Sequence, residues 1–180
     1  MKTILVVESG TKAREDLEDM LSLASYQVLT AGNGKEAIEI AQKCLPDLIL
    51  SAIALPVVDG FGMLYMLRHN PKTEAVPVIF MASKANKNDF RNAMESGADD
   101  FIIVPCNNNE LLRAVESRFR RIYVIRKNIV AELQQINGPD ANVNCEIADI
   151  PPMNPDIHNY QKKNIFYQEI PAKHYLGLAK

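Results

Sequence analysis

The sequence is short of cysteine and histidine, and neither residue occurs in a pattern that could hold a disulfide or a metal. Its cysteines, Cys44, Cys106 and Cys145, are odd in number and far apart, which fits neither a disulfide framework nor the paired cysteines of a zinc site. The histidines are scattered too, without the spacing of metal ligands. These shortages predict a chain that works in a reducing cytoplasm.

Long apolar runs and a strong excess of charge are also missing. No apolar run approaches the roughly 18 residues of a membrane span, and the N-terminus lacks the small-residue cleavage site of a signal peptide. A net charge of -2 gives no general attraction to nucleic acid or to an anionic membrane. We therefore expect no membrane partner. The 180 residues leave room for one ordinary domain and an appendage.

The most informative stretch runs from Pro46 to Gly60, with the sequence PDLILSAIALPVVDG. Its apolar run Leu48 to Leu50 does not alternate with polar residues, which is typical of a strand buried on both faces of a parallel sheet. In an open α/β sheet, chemistry lies just past the carboxyl ends of such strands. Position 52 is at such an end, yet Ala52 offers no reactive group.

Strand-like and helix-like segments alternate along the chain, which predicts an α/β fold: a doubly wound, five-stranded parallel sheet with right-handed crossovers. Thr11 is expected to cap the first helix, and Gly97 the fourth. The predicted strands are Thr3–Val7, Tyr26–Thr30, Leu48–Ala52, Val76–Met81 and Asp100–Val104, and the first four helices are Thr11–Ala24, Lys35–Cys44, Phe61–His69 and Lys87–Glu95.

The last predicted helix, residues 107–137, is longer than a compact domain needs. Its apolar residues recur at spacings of three and four, as in a coiled coil of roughly three and a half heptads. The first half is expected to pack on its own sheet, and the rest to form a parallel homodimer. A solvated flank explains the nearby arginines better than nucleic-acid binding. The predicted seam is Leu112, Val115, Phe119, Ile122, Arg126, Ile129, Leu133 and Ile136.

The character of the chain changes after Pro139. Residues 138–159 are rich in proline, asparagine and aspartate, which is typical of a linker. Residues 160–180 predict a partial β-element, which is marginal by itself. We therefore predict a domain over 1–120, an extended helix over 107–137, a linker over 138–159 and the start of a further, truncated domain over 160–180.

Residues 3–120 resemble the receiver domain of bacterial two-component response regulators. The matching pieces are ILVVES, AGNGKEAIEIA, PDLILSAIALPVVDG, PVIFMASKA and SGADDFIIVP. The resemblance implies a flavodoxin-like sheet of order 2-1-3-4-5 and a role in two-component signal transduction. More weakly, the run YQKKNIFYQEIPAKHYLGLAK resembles the opening of the cyclic-nucleotide-binding domain of Crp-type transcription regulators. DNA binding would then belong to a domain absent from this chain.

The family's phosphorylation site is degenerate in this sequence. By resemblance, the phosphoacceptor position is Ala52, the acid pair is Glu8 and Ser9, the hydroxyl position is Ala82 and the lysine position is Val104. Only Glu8 keeps a carboxylate, which is too little for Mg²⁺ and phosphoryl transfer. Phe101 occupies the switch-aromatic position, where we expect a core side chain.

We therefore predict a pseudo-receiver without catalytic, cofactor or metal residues, and not an enzyme. It would act in signal transduction and transcription regulation through dimerisation and an unknown protein partner. Two alternatives remain open. One is a working receiver that uses Ser51 or Ser83 as acceptor, and the other is a small-ligand sensor that uses the emptied pocket.

Overall fold

Five parallel strands form one sheet of order β2-β1-β3-β4-β5 in a computed structural model that describes residues 1–83 and 87–137. This confirms the predicted doubly wound, flavodoxin-like fold. The strands are β1 Thr3–Val7, β2 Gln27–Ala31, β3 Leu48–Ala52, β4 Val78–Ala82 and β5 Asp100–Ile103, and the helices are α1 Thr11–Leu23, α2 Gly34–Cys44, α3 Gly60–Arg68, α4 Lys87–Glu95 and α5 Asn108–Asn137.

The sheet is covered on both faces, as its apolar strands predict. All five residues of β3 are buried. One cluster joins alternate residues of the central strands to α1 and α5, and a second cluster joins the intervening residues to α2, α3 and Ala93 of α4. Because helices cover both faces, polar function is left to the two ends of the strands. We call the end where the strands finish the carboxyl edge of the sheet and the end where they begin the amino edge.

Several boundaries differ from the sequence prediction for local reasons. Thr11 does not cap α1: Gly10 is the N-cap residue, and no side chain caps this end. β4 begins at Val78 and not at Val76, because the Val76 N–H donates to Thr73 in a turn and the Val76 carbonyl accepts from Arg68 at 2.8 Å. Gly97, the predicted cap of α4, has a φ of +88°, which favours glycine.

Helix α5 has two parts that differ in burial. Leu112, Val115 and Phe119 are at most 7% exposed and belong to the domain's own core. Further on, Ile125, Ile129 and Leu133 are 48%, 50% and 37% exposed. The first three residues of the predicted seam are therefore used within the domain, and only the later ones remain for a partner.

Some predictions fall outside the described residues. These are the linker over 138–159, the β-element over 160–180 and the side chain of Ile136. Within 1–83 and 87–137, no helix is both long and apolar enough to span a membrane.

Candidate functional site

The predicted site positions lie together where four neighbouring strands end. Glu8 and Ser9 follow β1, Ala52 ends β3, Ala82 ends β4, and Val104 follows β5. These strands are adjacent in the order β1-β3-β4-β5, and the Val104 N–H donates to the Ala82 carbonyl at 2.9 Å. We call these five residues the corner.

Alanine and valine side chains close most of the corner. Ala52 is 7% exposed and Val104 is 1% exposed, and Val104 packs with Leu111 and Leu112 of α5. Gly60 holds the start of α3 tightly against this point, because a Cβ there would lie 2.8 Å from the Ala52 carbonyl oxygen. The backbone of the site is thus kept close-packed around side chains that can neither attack a phosphate nor neutralise one.

Glu8 is the one carboxylate among the corner positions, and it is 4% exposed. Its Oε1 accepts hydrogen bonds from the Gly10 N–H at 2.9 Å and from the Ser9 hydroxyl at 3.4 Å. Its Oε2 is buried and has no hydrogen-bond partner among the described residues. Burial raises the pKa of Glu8; the hydrogen bonds from Gly10 and Ser9 and the charge of Arg14 oppose that shift without cancelling it.

Arg14 supplies a cation beside the corner that the sequence reasoning missed. Its Nη1 donates to the Glu8 carbonyl oxygen at 2.7 Å and to the Ser9 carbonyl oxygen at 3.5 Å. Arg14 is the fourth residue of α1, so helical periodicity alone could have placed it on the turn that follows β1. The guanidinium donates to backbone carbonyl oxygens, and the described hydrogen bonds to the Glu8 carboxylate come from Ser9 and Gly10 instead.

Neither Ser51 nor Ser83, the two serines considered as substitute phosphoacceptors, has a described general base beside its hydroxyl. Ser51 is 0% exposed, and its hydroxyl donates to the Ala52 carbonyl at 2.8 Å. Ser83 is exposed just after β4. A serine nucleophile needs an adjacent base, and no described hydrogen bond joins either hydroxyl to one.

Phe101 lies on β5, partly buried. Its ring meets Phe90 of α4 edge-on, with centroids 5.9 Å apart and an interplanar angle of 77°, a favourable aromatic geometry. Phe90 itself is 51% exposed. This packing is consistent with a core role for Phe101.

The corner does not fit the magnesium ion that a receiver fold implies. Mg²⁺ prefers octahedral oxygen ligation that includes one or two carboxylates. Within the described ranges, no group of three or more His, Cys, Asp or Glu side chains could hold a metal. Nearby acids have other partners: Asp59 accepts from the Gly62 N–H at 2.7 Å and Glu36 from the Gly32 N–H at 2.7 Å.

A cavity of about 240 Å³ lies at the opposite, amino edge of the sheet, and no corner residue lines it. It is bounded by residues that precede β1, β3 and β4 and by α5, and we call it the amino-edge cavity. Its lining includes Lys2, Asp47, Lys72, Pro77, Phe119, Ile122 and Arg126.

Comparison with known proteins supports the family resemblance. Residues 4–116 match the family model described as the response regulator receiver domain. The chain is 35% identical over 126 residues to the probable transcriptional regulator ycf27 of Porphyra purpurea, covering 70% of this chain and 51% of that protein. It therefore spans about half the length of that regulator.

Solved structures of receiver domains and related proteins share this fold. The chemotaxis protein CheY4 of Vibrio cholerae is 26% identical with a TM-score of 0.63, and the match covers 65% of this chain and 98% of that one. The receiver domain of a sensor histidine kinase from Pseudomonas aeruginosa is 28% identical with a TM-score of 0.61, covering 64% and 95%. That protein holds a magnesium ion in its active-site cleft.

Proposed function

The chain belongs to the response regulator receiver family, and from this premise we propose that it is a signalling module that has lost phosphorylation and acts by protein–protein interaction. The observation that carries the proposal is the buried alanine at the end of β3. Ala52 is 7% exposed and lies where the family resemblance puts the phosphoacceptor.

The chemistry of phosphoryl transfer supports this proposal. The reaction needs a nucleophile, a metal and cations arranged around the transferred group. Val104 replaces the cation with a core side chain, and Glu8 is left as a single buried carboxylate. Loss at several positions together argues for a changed role and against a single engineered substitution.

The test is incubation of the full chain with Mg²⁺ and either acetyl phosphate or beryllofluoride. Intact-mass spectrometry should detect no phosphoryl adduct, and fluorine NMR should detect no bound beryllofluoride. The matched control restores the family's groups in one variant, Ser9→Asp, Ala52→Asp, Ala82→Thr and Val104→Lys. This variant should gain an adduct, and an adduct on the unmodified chain would overturn the proposal.

The projecting part of α5 supports homodimerisation as the mode of interaction. Ile129 and Leu133 are spaced by four residues and are 50% and 37% exposed. An apolar stripe on a long helix is stabilised by pairing with a second helix. Arg126, the preceding residue of the predicted seam, lines the amino-edge cavity, so the proposed pairing begins beyond it.

Sedimentation of charge variants tests the dimer. Ile129→Glu with Leu133→Glu should dissociate it, because facing carboxylates would replace the apolar seam. Val124→Glu is the matched control: Val124 is 48% exposed but lies about two and a half helical turns before Leu133, on the other side of α5. A monomeric unmodified chain, or equal dissociation by the control, would refute the seam.

The output proposed for this module is transcription regulation. Its ycf27 relatives are described as probable transcriptional regulators, and this chain would contribute the receiver-like domain over 1–120 and the dimer helix over 107–137. In the same proposal, 138–159 are a linker and 160–180 the start of a Crp-like element, and both ranges lie outside the described residues.

A further inference from the structure

The amino-edge cavity carries more positive charge than the protein around it. Three cationic side chains, Lys2, Lys72 and Arg126, and one anionic side chain, Asp47, line it. The complete chain has a net charge of -2, so this excess of positive charge is a local feature. Cationic clefts with low-dielectric walls concentrate anions.

The single acid of the cavity is already neutralised. Asp47 Oδ1 accepts from Lys2 Nζ at 2.7 Å, and Oδ2 accepts from the Thr3 N–H at 2.9 Å. Lys2 Nζ also lies 5.9 Å from the centroid of the Phe119 ring, a cation–π distance. Lys2 and Asp47 therefore form a closed pair, and Lys72 and Arg126 supply the excess charge.

Apolar residues make up another part of the lining. Phe119 is 7% exposed, Pro77 is buried and Ile122 is partly buried, and all three line the cavity. Lys72 and Arg126 are exposed, so their charged ends lie toward solvent. A cavity lined by exposed cations and by buried apolar side chains is complementary to a molecule with an anionic head and an apolar body.

We propose that the amino-edge cavity binds a small amphipathic anion, a carboxylate or phosphate group carried on a compact apolar body. The anionic group pairs with Lys72 and Arg126, and the body contacts Pro77, Phe119 and Ile122. Lys72 precedes β4 and Arg126 belongs to α5, so the ligand joins the sheet domain to the projecting helix. Binding brings one anionic charge to both cations and fixes the base of that helix.

Titration of the isotope-labelled full chain with phenyl phosphate, benzoate, inorganic phosphate and benzyl alcohol tests this site by amide chemical shifts. Phenyl phosphate or benzoate should cause saturable shifts centred on residues 45–47, 72–77 and 119–126, and which of them binds more tightly identifies the preferred head group. Equal shifts with neutral benzyl alcohol, or no saturable shift with either anion, would overturn the proposal. Inorganic phosphate binding as tightly as phenyl phosphate would overturn the apolar half of the site.

Charge-removing variants locate the site. Lys72→Gln and Arg126→Gln should each weaken binding about fivefold, because each removes one charge-assisted contact. Arg121→Gln is the control, since Arg121 is an exposed arginine of α5 that is not among the residues lining the cavity. Equal weakening by Arg121→Gln would show only nonspecific charge attraction and would refute the site. The proposed loss of phosphorylation is independent of this result, because it concerns the other edge of the sheet.

Discussion

The carboxyl and amino edges of the sheet differ in how they treat charge. At the carboxyl edge, Ala52 and Val104 are buried apolar residues, and the carboxylate of Glu8 keeps one oxygen without a described partner. At the amino edge, Lys2 and Asp47 are joined by a 2.7 Å ion pair whose acid also binds backbone. The carboxyl edge therefore contains a buried carboxylate with an oxygen unsatisfied among the described residues, whereas the carboxylate at the amino edge is fully paired.

The two edges also differ in what their residues could bind. A receiver that transfers phosphate needs its carboxyl edge charged, because metal and phosphate bind there. Here Ala52 and Val104 are buried apolar residues at that edge, while Lys2, Lys72 and Arg126 line the cavity at the amino edge. Three substitutions test the contrast, and a fourth tests the backbone of the loop that follows β3.

The largest effect is expected for Ala52→Asp. A second carboxylate would enter a buried corner beside Glu8, where Arg14 is already engaged by the Glu8 and Ser9 carbonyl oxygens, and we expect a loss of about 2 kcal/mol in unfolding free energy near neutral pH. Urea denaturation measures it. Ala54→Asp is the control, since Ala54 is exposed in the loop that follows β3 and should change stability little. Equal losses would show that the corner is not distinctive.

At the amino edge a carboxylate, that of Asp47, should stabilise the folded state. Asp47→Asn replaces the carboxylate that binds both Lys2 and the Thr3 N–H, and we expect a loss of about 1 kcal/mol because both groups are partly solvated. Thermal or urea unfolding with and without added salt checks it. The effect should shrink at high salt; an unchanged or higher stability would break the contrast between the edges.

Glu8→Gln should act in the opposite direction at the carboxyl edge and raise the unfolding free energy above neutral pH. Burial raises the pKa of Glu8 in the folded chain, so the folded state binds this proton more tightly than the unfolded state does. Stability is therefore highest while Glu8 is protonated and is lost as pH rises from its unfolded pKa through its raised folded pKa.

Unfolding measured from about pH 4 to pH 8 checks that sign. The advantage of Glu8→Gln over the unmodified chain should grow with pH. Glu18→Gln, at an exposed position of α1, should give no such trend. An advantage that shrinks with rising pH would mean that the Glu8 carboxylate is stabilised by its surroundings.

The smallest effect is expected at Val57, in the loop between β3 and α3 near the corner. This valine has a φ of +69° and is 79% exposed, a conformation that is unfavourable for a β-branched residue. Val57→Gly should raise stability by about 0.5 kcal/mol, since relief of strain is partly offset by greater freedom of the unfolded chain. Val57→Ala is the comparison, because alanine keeps a Cβ at the same φ and should gain less.

The sequence predicted the fold well because the signals are local and repeated. The unbroken apolar run of β3 and the alternation of strand and helix leave few topologies for a parallel sheet. The predicted boundaries were wrong where a single tertiary contact determines the end of a strand. The start of β4 depends on Arg68, which binds the Val76 carbonyl from the preceding helix, and no local pattern encodes that contact.

The site was predicted in part. The corner positions followed from family resemblance and do lie at adjacent strand ends, whereas their loss of phosphorylation stays a prediction. Arg14 was missed because its role depends on a backbone carbonyl partner. The amino-edge cavity was missed because its lining comes from segments far apart in sequence, such as Lys2, Lys72 and Arg126, which meet only after folding.

Helix α5 is continuous over 30 residues, so a rotation at its base is transmitted along its whole length. About 11 residues follow Arg126, the last residue of α5 that lines the amino-edge cavity, and they extend roughly 16 Å at the rise of an α-helix. A tilt of a few degrees at the base would move the far end by one to two ångströms, on the order of a side-chain contact. A small change in how α5 packs around Arg126 would thus displace the C-terminal end of the helix.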